Sequence, residues 1–504
     1  MAVADAVTGE ALCRVSSDGL DLENAVQHAR RVGGPSLHAL RFPERAAVVK
    51  SMALALSDRK EELYELSARA GATRSDAKVD VDGGFGTALV YSSIGRKALP
   101  DGRIVVEDEP ILLGKEGRFV GRHVLTSRRG LALQINAFNF PVWGMLEKLA
   151  PALLAGVPTI VKPATPTAFI TEHAVRIMLE AGVLPDGALQ LVCGFVPGVL
   201  DQLGGQDLVG FTGSAATAAR LRAHDAVTRR SVRFTAEADS LNSSILGPDA
   251  VPGTPEFDIF VDQVVVEMTT KAGQKCTAIR RAFVPHALYE ATAEAIAEKL
   301  AAVVVGAPDA DGVTMGALVG LDQREDVRTQ IAKLSRSGDL LFGDPGKVDV
   351  VGADAERGAF LSPILLGADP DARAPHEVEA FGPVCTLLPF ADPADVPDLV
   401  ARGEGSLVAS MVSADADFVR SAVVGIAAHH GRLVVLDQRS ATESTGHGIP
   451  MPQLVHGGPG RAGGGEEAGG LRAVYHHLQR TAVQGGPEVV DALARSTSGS
   501  LAGI

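Results

Sequence analysis

This 504-residue chain predicts an α/β protein built on two successive parallel-sheet regions, and three observations carry that expectation. Between residue 131 and about 240, short apolar runs alternate with amphipathic helical stretches, the rhythm of strands joined by crossover helices. A second region of the same character runs from about 240 to "GRLVVLD" near 437. The hydrophobic share is 46% and the charged share 21%, ordinary for a globular protein, and the length suits two or three domains.

The elements follow in order. Residues 21 to 71 read as helices: "DLENAVQHARRVG" has apolar positions at helical spacing, and Phe42-Pro43-Glu44 opens a second helical stretch. Residues 111 to 130, "ILLGKEGRFVGRHVLTSRRG", alternate like a hairpin with Gly-Lys-Glu-Gly as its turn. Two strands alone are marginal, so this hairpin is expected to pair with something, here another subunit. "LALQINA", "PTIVKPA", "ALQLVCG" and "LVGFTGS" are strands, with helices at "WGMLEKLAPALLAG" and "AFITEHAVRIMLEAG". "FDIFVDQVVVEMTT" is helical and "AIRRAFVPH" strand-like. Near the end, "YHHLQRTAVQ" reads as a strand that completes the sheet of a partner's hairpin.

Net charge is −14 with no basic stripe, which argues against nucleic acid as a partner. Cys13, Cys193, Cys276 and Cys385 are widely spaced and form no CxxC pair. Neither disulfides nor a metal site is therefore expected, and a reducing cytoplasm is the expected location. The opening "MAVADAVTGEALCRV" lacks the parts of a signal peptide, and no apolar stretch approaches the roughly 18–20 residues of a membrane span.

Five stretches have the chemistry of a site. In "INAFNFPVWG", Asn139 follows a strand end, where its amide can donate to a developing oxyanion; a turn-forming Asn is the alternative. In "TIVKPATPTA", Lys162 ends a buried strand, placed to reach a phosphate or ribose hydroxyl, or simply to snorkel to the surface. In "LVGFTGSAATAAR", Gly213 and Ser214 open a helix whose first N–H groups can receive a phosphate. In "FTAEADSLN", Glu237 sits on an apolar-flanked strand end, where burial raises a carboxylate's pKa and suits it to general-base work; a surface ion pair is the alternative. "KAGQKCTAIR" then places Cys276 in a short turn, either as a packing thiol or as a nucleophile whose thiolate is favoured by Lys271, Lys275 or a cationic cofactor ring.

The order of these stretches, Asn-Phe-Pro, Val-Lys-Pro, Phe-Thr-Gly-Ser, Glu, Gly-Gln-Lys-Cys and then "EVEAFGPV" at 377 to 384, resembles the aldehyde dehydrogenase superfamily along essentially the whole chain. The resemblance implies a Rossmann-type cofactor-binding domain at 1–110 and 130–238. It also implies a second α/β catalytic domain at 239–440 and an oligomerisation hairpin and strand at 111–129 and 474–485. It implies Cys276 as nucleophile, Asn139 as oxyanion donor and Glu237 as activator of the hydrolytic water. Lys162 and Glu379 match groups that bind cofactor ribose, Gly213 and Ser214 a diphosphate contact, and Phe381 a residue beside the nicotinamide ribose.

Two departures stand out. Glu237 is followed by Ala-Asp-Ser where many members carry Leu-Gly-Gly, which alters backbone freedom around the base. Thr165 stands where many NAD-preferring members carry a glutamate that repels a 2′-phosphate, so NADP is expected ahead of NAD. A narrower resemblance, carried by "FTAEADSLN", "KAGQKCTAIRR" and "LVHGGPGRAGGGEEAGG", is to dehydrogenases of phenylacetate and benzoyl-CoA breakdown, including 3,4-dehydroadipyl-CoA semialdehyde dehydrogenases. It implies an open-chain semialdehyde bearing a CoA thioester, and a homodimer or homotetramer. The phenylacetate relatives carry a C-terminal hydratase domain; here the chain runs only to Ile504, and dehydrogenase chemistry alone is expected. Relatives also carry a leading strand or two that the start does not show. His447, His456 and Gly463 to Gly465 read as ordinary loop residues, with a role at the substrate entrance as the alternative. Two other functions stay open: a CoA-acylating dehydrogenase, and a catalytically silent binding protein on the same fold.

Overall fold

A computed structural model describes residues 1–495. Five parallel strands form the first large sheet, in the order Leu189–Leu191, Thr159–Lys162, Ala132–Ile135, Leu208–Thr212, Arg233–Glu237. The chain leaves Ala132–Ile135 in one direction for two strands, then crosses to the other side for the last two. That reversal opens a crevice beyond the carboxyl ends of Ala132–Ile135 and Leu208–Thr212, where open α/β sheets bind ligands. Helix Trp143–Leu154 packs its apolar face beneath the crevice, burying Leu146, Leu149 and Leu153 with residues of helices Phe42–Asp58 and Arg74–Lys97.

The second large sheet has seven strands, ordered Gly338–Phe342, Ile364–Ala368, Val384–Phe390, Arg281–Pro285, Ser243–Leu246, Ser406–Val412, His430–Leu436. Only the edge strand Gly338–Phe342 runs antiparallel. Helix Pro255–Thr269 covers one face through Phe260, Val264 and Met268, with Thr254 capping its first turn. No helix among the described residues is long and apolar enough to cross a membrane.

The smaller sheet differs from expectation in three ways. Its hairpin strands are Val105–Leu112 and Val120–Ser127, so the hairpin starts six residues before Ile111. Its third strand, Leu478–Gly485, comes from the same chain and pairs antiparallel with Val120–Ser127 over eight registered residues. Residues 474–476 belong instead to helix Leu471–His476, because Ala473 and Val474 are drawn into the core under helix Trp143–Leu154. The start of the chain also carries two short strands, Ala2–Ala4 and Ala11–Arg14, paired with each other.

Candidate active site

The two large sheets meet at a cleft of about 600 Å³. Its walls come from the strand ends of the first sheet: Asn136 to Asn139, Phe211 to Ser214, and Glu237 to Asp239. The opposite wall is made of segments that precede strands of the second sheet, Cys276, Glu377 to Glu379 and Phe381, together with Gln323, Asp326, Gln330 and Lys333 of helix Leu321–Leu334. Asn139, Glu237 and Cys276 line this cleft and also a small inner cavity of about 40 Å³ behind it, walled by Phe140, Trp143, Gly448, Pro450 and His456. They stand at the partition between two chambers.

The cysteine turn is held in an unfavourable backbone conformation. Lys271, Ala272 and Gly273 have φ of 53°, 50° and 67° in succession, and only glycine takes that region freely. Two such non-glycine residues cost on the order of 1–3 kcal/mol each, so the surroundings must fix them. Lys271 N–H donates to Asp76 Oδ1 at 2.8 Å, and Gln274 donates to the Lys271 carbonyl while accepting from Val319 N–H. Arg280 donates to the carbonyls of Gly273 and Gly382, and Asn242 Nδ2 donates to the Cys276 carbonyl at 2.7 Å. Gly273 lies so close to the Gly382 carbonyl that a Cβ there would collide with it.

Neither lysine of the turn serves the thiol, contrary to the sequence expectation. Lys275 is buried in an ion pair with Glu267 at 2.7 Å, and the Lys271 ammonium stands over the Phe140 ring, 4.9 Å from its centroid. Burial pushes the Cys276 thiol well above its usual pKa, and the adjacent Glu237 and Glu147 add to that. Half-buried, the sulfur keeps one side open to the cleft.

Glu237 also departs from expectation. It is only 2% exposed, and burial alone raises its pKa, but His456 Nε2 lies 3.2 Å from Oε2 and holds the carboxyl below the usual carboxylate range. The Cys276 thiol lies beside the same carboxylate. One ligand atom each from Glu237, Cys276 and His456 lie within 4.8 Å of one another.

Of the other anticipated residues, Gly213, Ser214, Glu379 and Phe381 line the cleft. Ser214 caps helix Ala215–Arg222, while Asp239 accepts from Ala215 N–H at 2.8 Å, which accounts for one of the departures after Glu237. Phe381 meets Phe138 edge to face, with centroids 5.7 Å apart. Lys162 and Thr165 flank Ala164, which lines the cleft; their own side chains are half-buried beside it and are not part of its lining. Burial lowers the Lys162 pKa, and Cys193 lies near it. His447 is fully buried, lies outside the entrance and is held neutral by burial.

A nicotinamide dinucleotide fits the polar groups of this cleft. Glu379 Oε1 is buried without a hydrogen-bond partner among the described residues, 3.9 Å from Arg280 Nε, and burial raises its carboxyl to about 7. Such a carboxyl is ready to take a hydroxyl donor. Asn136, which sequence reasoning passed over, lines both chambers with both amide atoms buried and unpartnered among the described residues. Its only sequence signal was its place at a strand end, two residues before Phe138.

The model of the aldehyde dehydrogenase family matches residues 1–476. The chain belongs to the aldehyde dehydrogenase family. It is 49% identical over 461 residues, 91% of this chain and 89% of the relative, to a 3,4-dehydroadipyl-CoA semialdehyde dehydrogenase of Aromatoleum evansii. In fold it is similar to a mutant betaine aldehyde dehydrogenase of Staphylococcus aureus (TM-score 0.83, 21% identity, 100% of this chain and 93% of that one). It is likewise similar to PnpE of Pseudomonas sp. WBC-3 in complex with nicotinamide adenine dinucleotide (TM-score 0.82, 21% identity, 96% and 94% covered). As an aldehyde dehydrogenase, the protein is an oxidoreductase acting on aldehydes.

Proposed function

We propose that this aldehyde dehydrogenase oxidises an open-chain semialdehyde carrying a CoA thioester to the carboxylic acid, with NADP ahead of NAD. The carrying observation is that Asn139, Glu237 and Cys276 share the partition between a large polar cleft and a small inner chamber. The Cys276 sulfur attacks the aldehyde carbon as its proton leaves, and the Asn139 amide with the Cys276 N–H stabilises the resulting oxyanion. Ser214, Glu379 and Phe381 would hold a dinucleotide along the cleft, and that group would supply the hydride acceptor which turns the adduct into a thioester. Glu237 then takes a proton from water, whose oxygen attacks the thioester carbon; the C–S bond breaks and the acid departs. Glu237 lies within 4.8 Å of the sulfur, so the same carboxylate is placed to take the thiol proton at the start, provided it passes that proton to solvent before it accepts one from water.

The substrate class is supported by the Aromatoleum relative's name and by the length of the match. The preference for NADP is supported by Thr165, a hydroxyl that can donate to a 2′-phosphate where a carboxylate would repel it. Comparing kcat/KM for the two cofactors tests it, and a clear NAD preference refutes it. A buried carboxylate within 4.8 Å of the sulfur supports hydrolysis over transfer to free CoA. Free acid formed without added CoA is the expected result, using a panel of free and CoA-linked semialdehydes. The domain assignment follows the same reading, with the three-stranded sheet as the oligomer surface. Its hairpin exposes Ile111, Leu112 and Phe119, and light scattering is expected to give a dimer or tetramer.

A further inference from the structure

We propose that His456 is a positioning residue for the hydrolytic half-reaction, pinning the Glu237 carboxylate against the thiol in ionised form. The inference rests on the covalent reading above and adds a component to it.

The geometry is that of a clamp. His456 begins strand His456–Gly458, and its ring reaches across to Glu237 from a position 219 residues further along the chain. The loop that follows is fastened to the strand end bearing the base. Ala238 N–H donates to the Ala462 carbonyl at 3.1 Å, Arg222 donates to the Gly463 carbonyl at 2.6 Å, and a Cβ at Gly463 would run into the Ala236 carbonyl. Both partners are therefore set on backbone that is itself held. Of the residues after the base, Asp239 is explained by its side chain, which accepts from the first N–H of a helix; the Ala238 contact is through backbone alone, and together they hold the segment that carries Glu237.

A carboxylate 2% exposed has little water to stabilise its charge. The groups facing the pair are Cys276, Glu147 and Lys148 on helix Trp143–Leu154, and Arg432 on strand His430–Leu436. Lys148 is paired with Glu147 at 2.8 Å, and Arg432 is committed to the carbonyls of His447 and Ile449. His456 is the group that forms an ion pair with Glu237, at 3.2 Å. Without it, burial favours the protonated acid, which cannot accept a proton from water, and Lys148 and the neighbouring thiol are left to oppose that.

The test compares wild type with His456→Ala and His456→Gln, whose amide can keep a hydrogen bond but not a charge. Rapid mixing with cofactor and aldehyde reads the burst of reduced cofactor; intact mass reads acyl groups on Cys276; steady-state turnover is followed against pH. Both variants are expected to give a burst near one per site and to accumulate acyl-enzyme. They should turn over about tenfold or more slowly, a fraction of the 10²–10⁴ that a general base contributes. The acidic limb of turnover should move to higher pH in both, with His456→Gln the faster of the two. Wild-type turnover with an unchanged pH profile in both variants overturns the proposal. So does loss of the burst together with turnover in variants that still bind cofactor, or loss of folding in both. If wild type itself forms no covalent adduct on Cys276, the covalent reading fails first and this proposal goes with it.

Discussion

The five-stranded sheet delivers its site residues at the carboxyl ends of strands, whereas the seven-stranded sheet delivers them in loops that precede strands. Glu237 ends Arg233–Glu237, and Ser214 and Asn139 lie just beyond the ends of Leu208–Thr212 and Ala132–Ile135, so local backbone geometry places them at the crevice. Cys276 and Glu379 precede Arg281–Pro285 and Val384–Phe390, and no strand end aims them. Their placement depends on left-handed residues, a buried arginine and the close approach of Gly273 to Gly382. One wall of the site comes with the topology; the other is held by specific contacts.

The comparison can be broken at several points. The largest effect is expected for Cys276→Ala: no detectable oxidation, with cofactor binding by fluorescence retained. Glu237→Gln should give a single burst of reduced cofactor and then lose about 10²–10⁴ in turnover. Asn139→Ala should cost about 10²–10³ in kcat/KM, measured at subsaturating aldehyde. Gly273→Ala tests the loop-built wall alone. Steric conflict with the Gly382 carbonyl should destabilise the protein by about 1–3 kcal/mol in urea melts and lower activity with it, while a cap mutation at Ser214 should cost about 1 kcal/mol or less.

The smallest effect concerns Glu379, whose carboxyl stands at about 7 rather than 4.5 because burial disfavours its charge. Its folded-state pKa is raised, so its contribution to stability is present below pH 4.5 and is lost as pH rises towards 7. Ribose hydroxyls donating to Oε1 favour the ionised form. Cofactor binding near pH 6 is therefore expected to release protons into a weakly buffered solution, and Glu379→Gln should abolish that part of the release.

Much of the first wall was legible in the sequence because it is local. Period-two and helical patterns mark the strands and helices between 131 and 212, and each candidate residue sits within a few positions of a strand end. The second wall was legible only through its resemblance to a family, since nothing in "KAGQKC" announces two left-handed residues. His456 was read as an ordinary loop residue because its partner lies 219 positions earlier, and no periodicity reports so distant a contact. The same holds for Lys275, whose buried partner Glu267 turns a supposed activator of the thiol into a structural ion pair. The small sheet was misjudged at its ends, where pairing in space rather than composition sets how far a strand runs.

The inner chamber of about 40 Å³ has little more room than the roughly 30 Å³ a single water takes in the liquid. Between Phe140, Trp143 and Pro450 it is expected to favour a slim, unbranched chain end over a ring or a fork beside the carbonyl. Selectivity at this partition would thus come from calibre, as in a keyhole, leaving the bulk of a long substrate to rest outside.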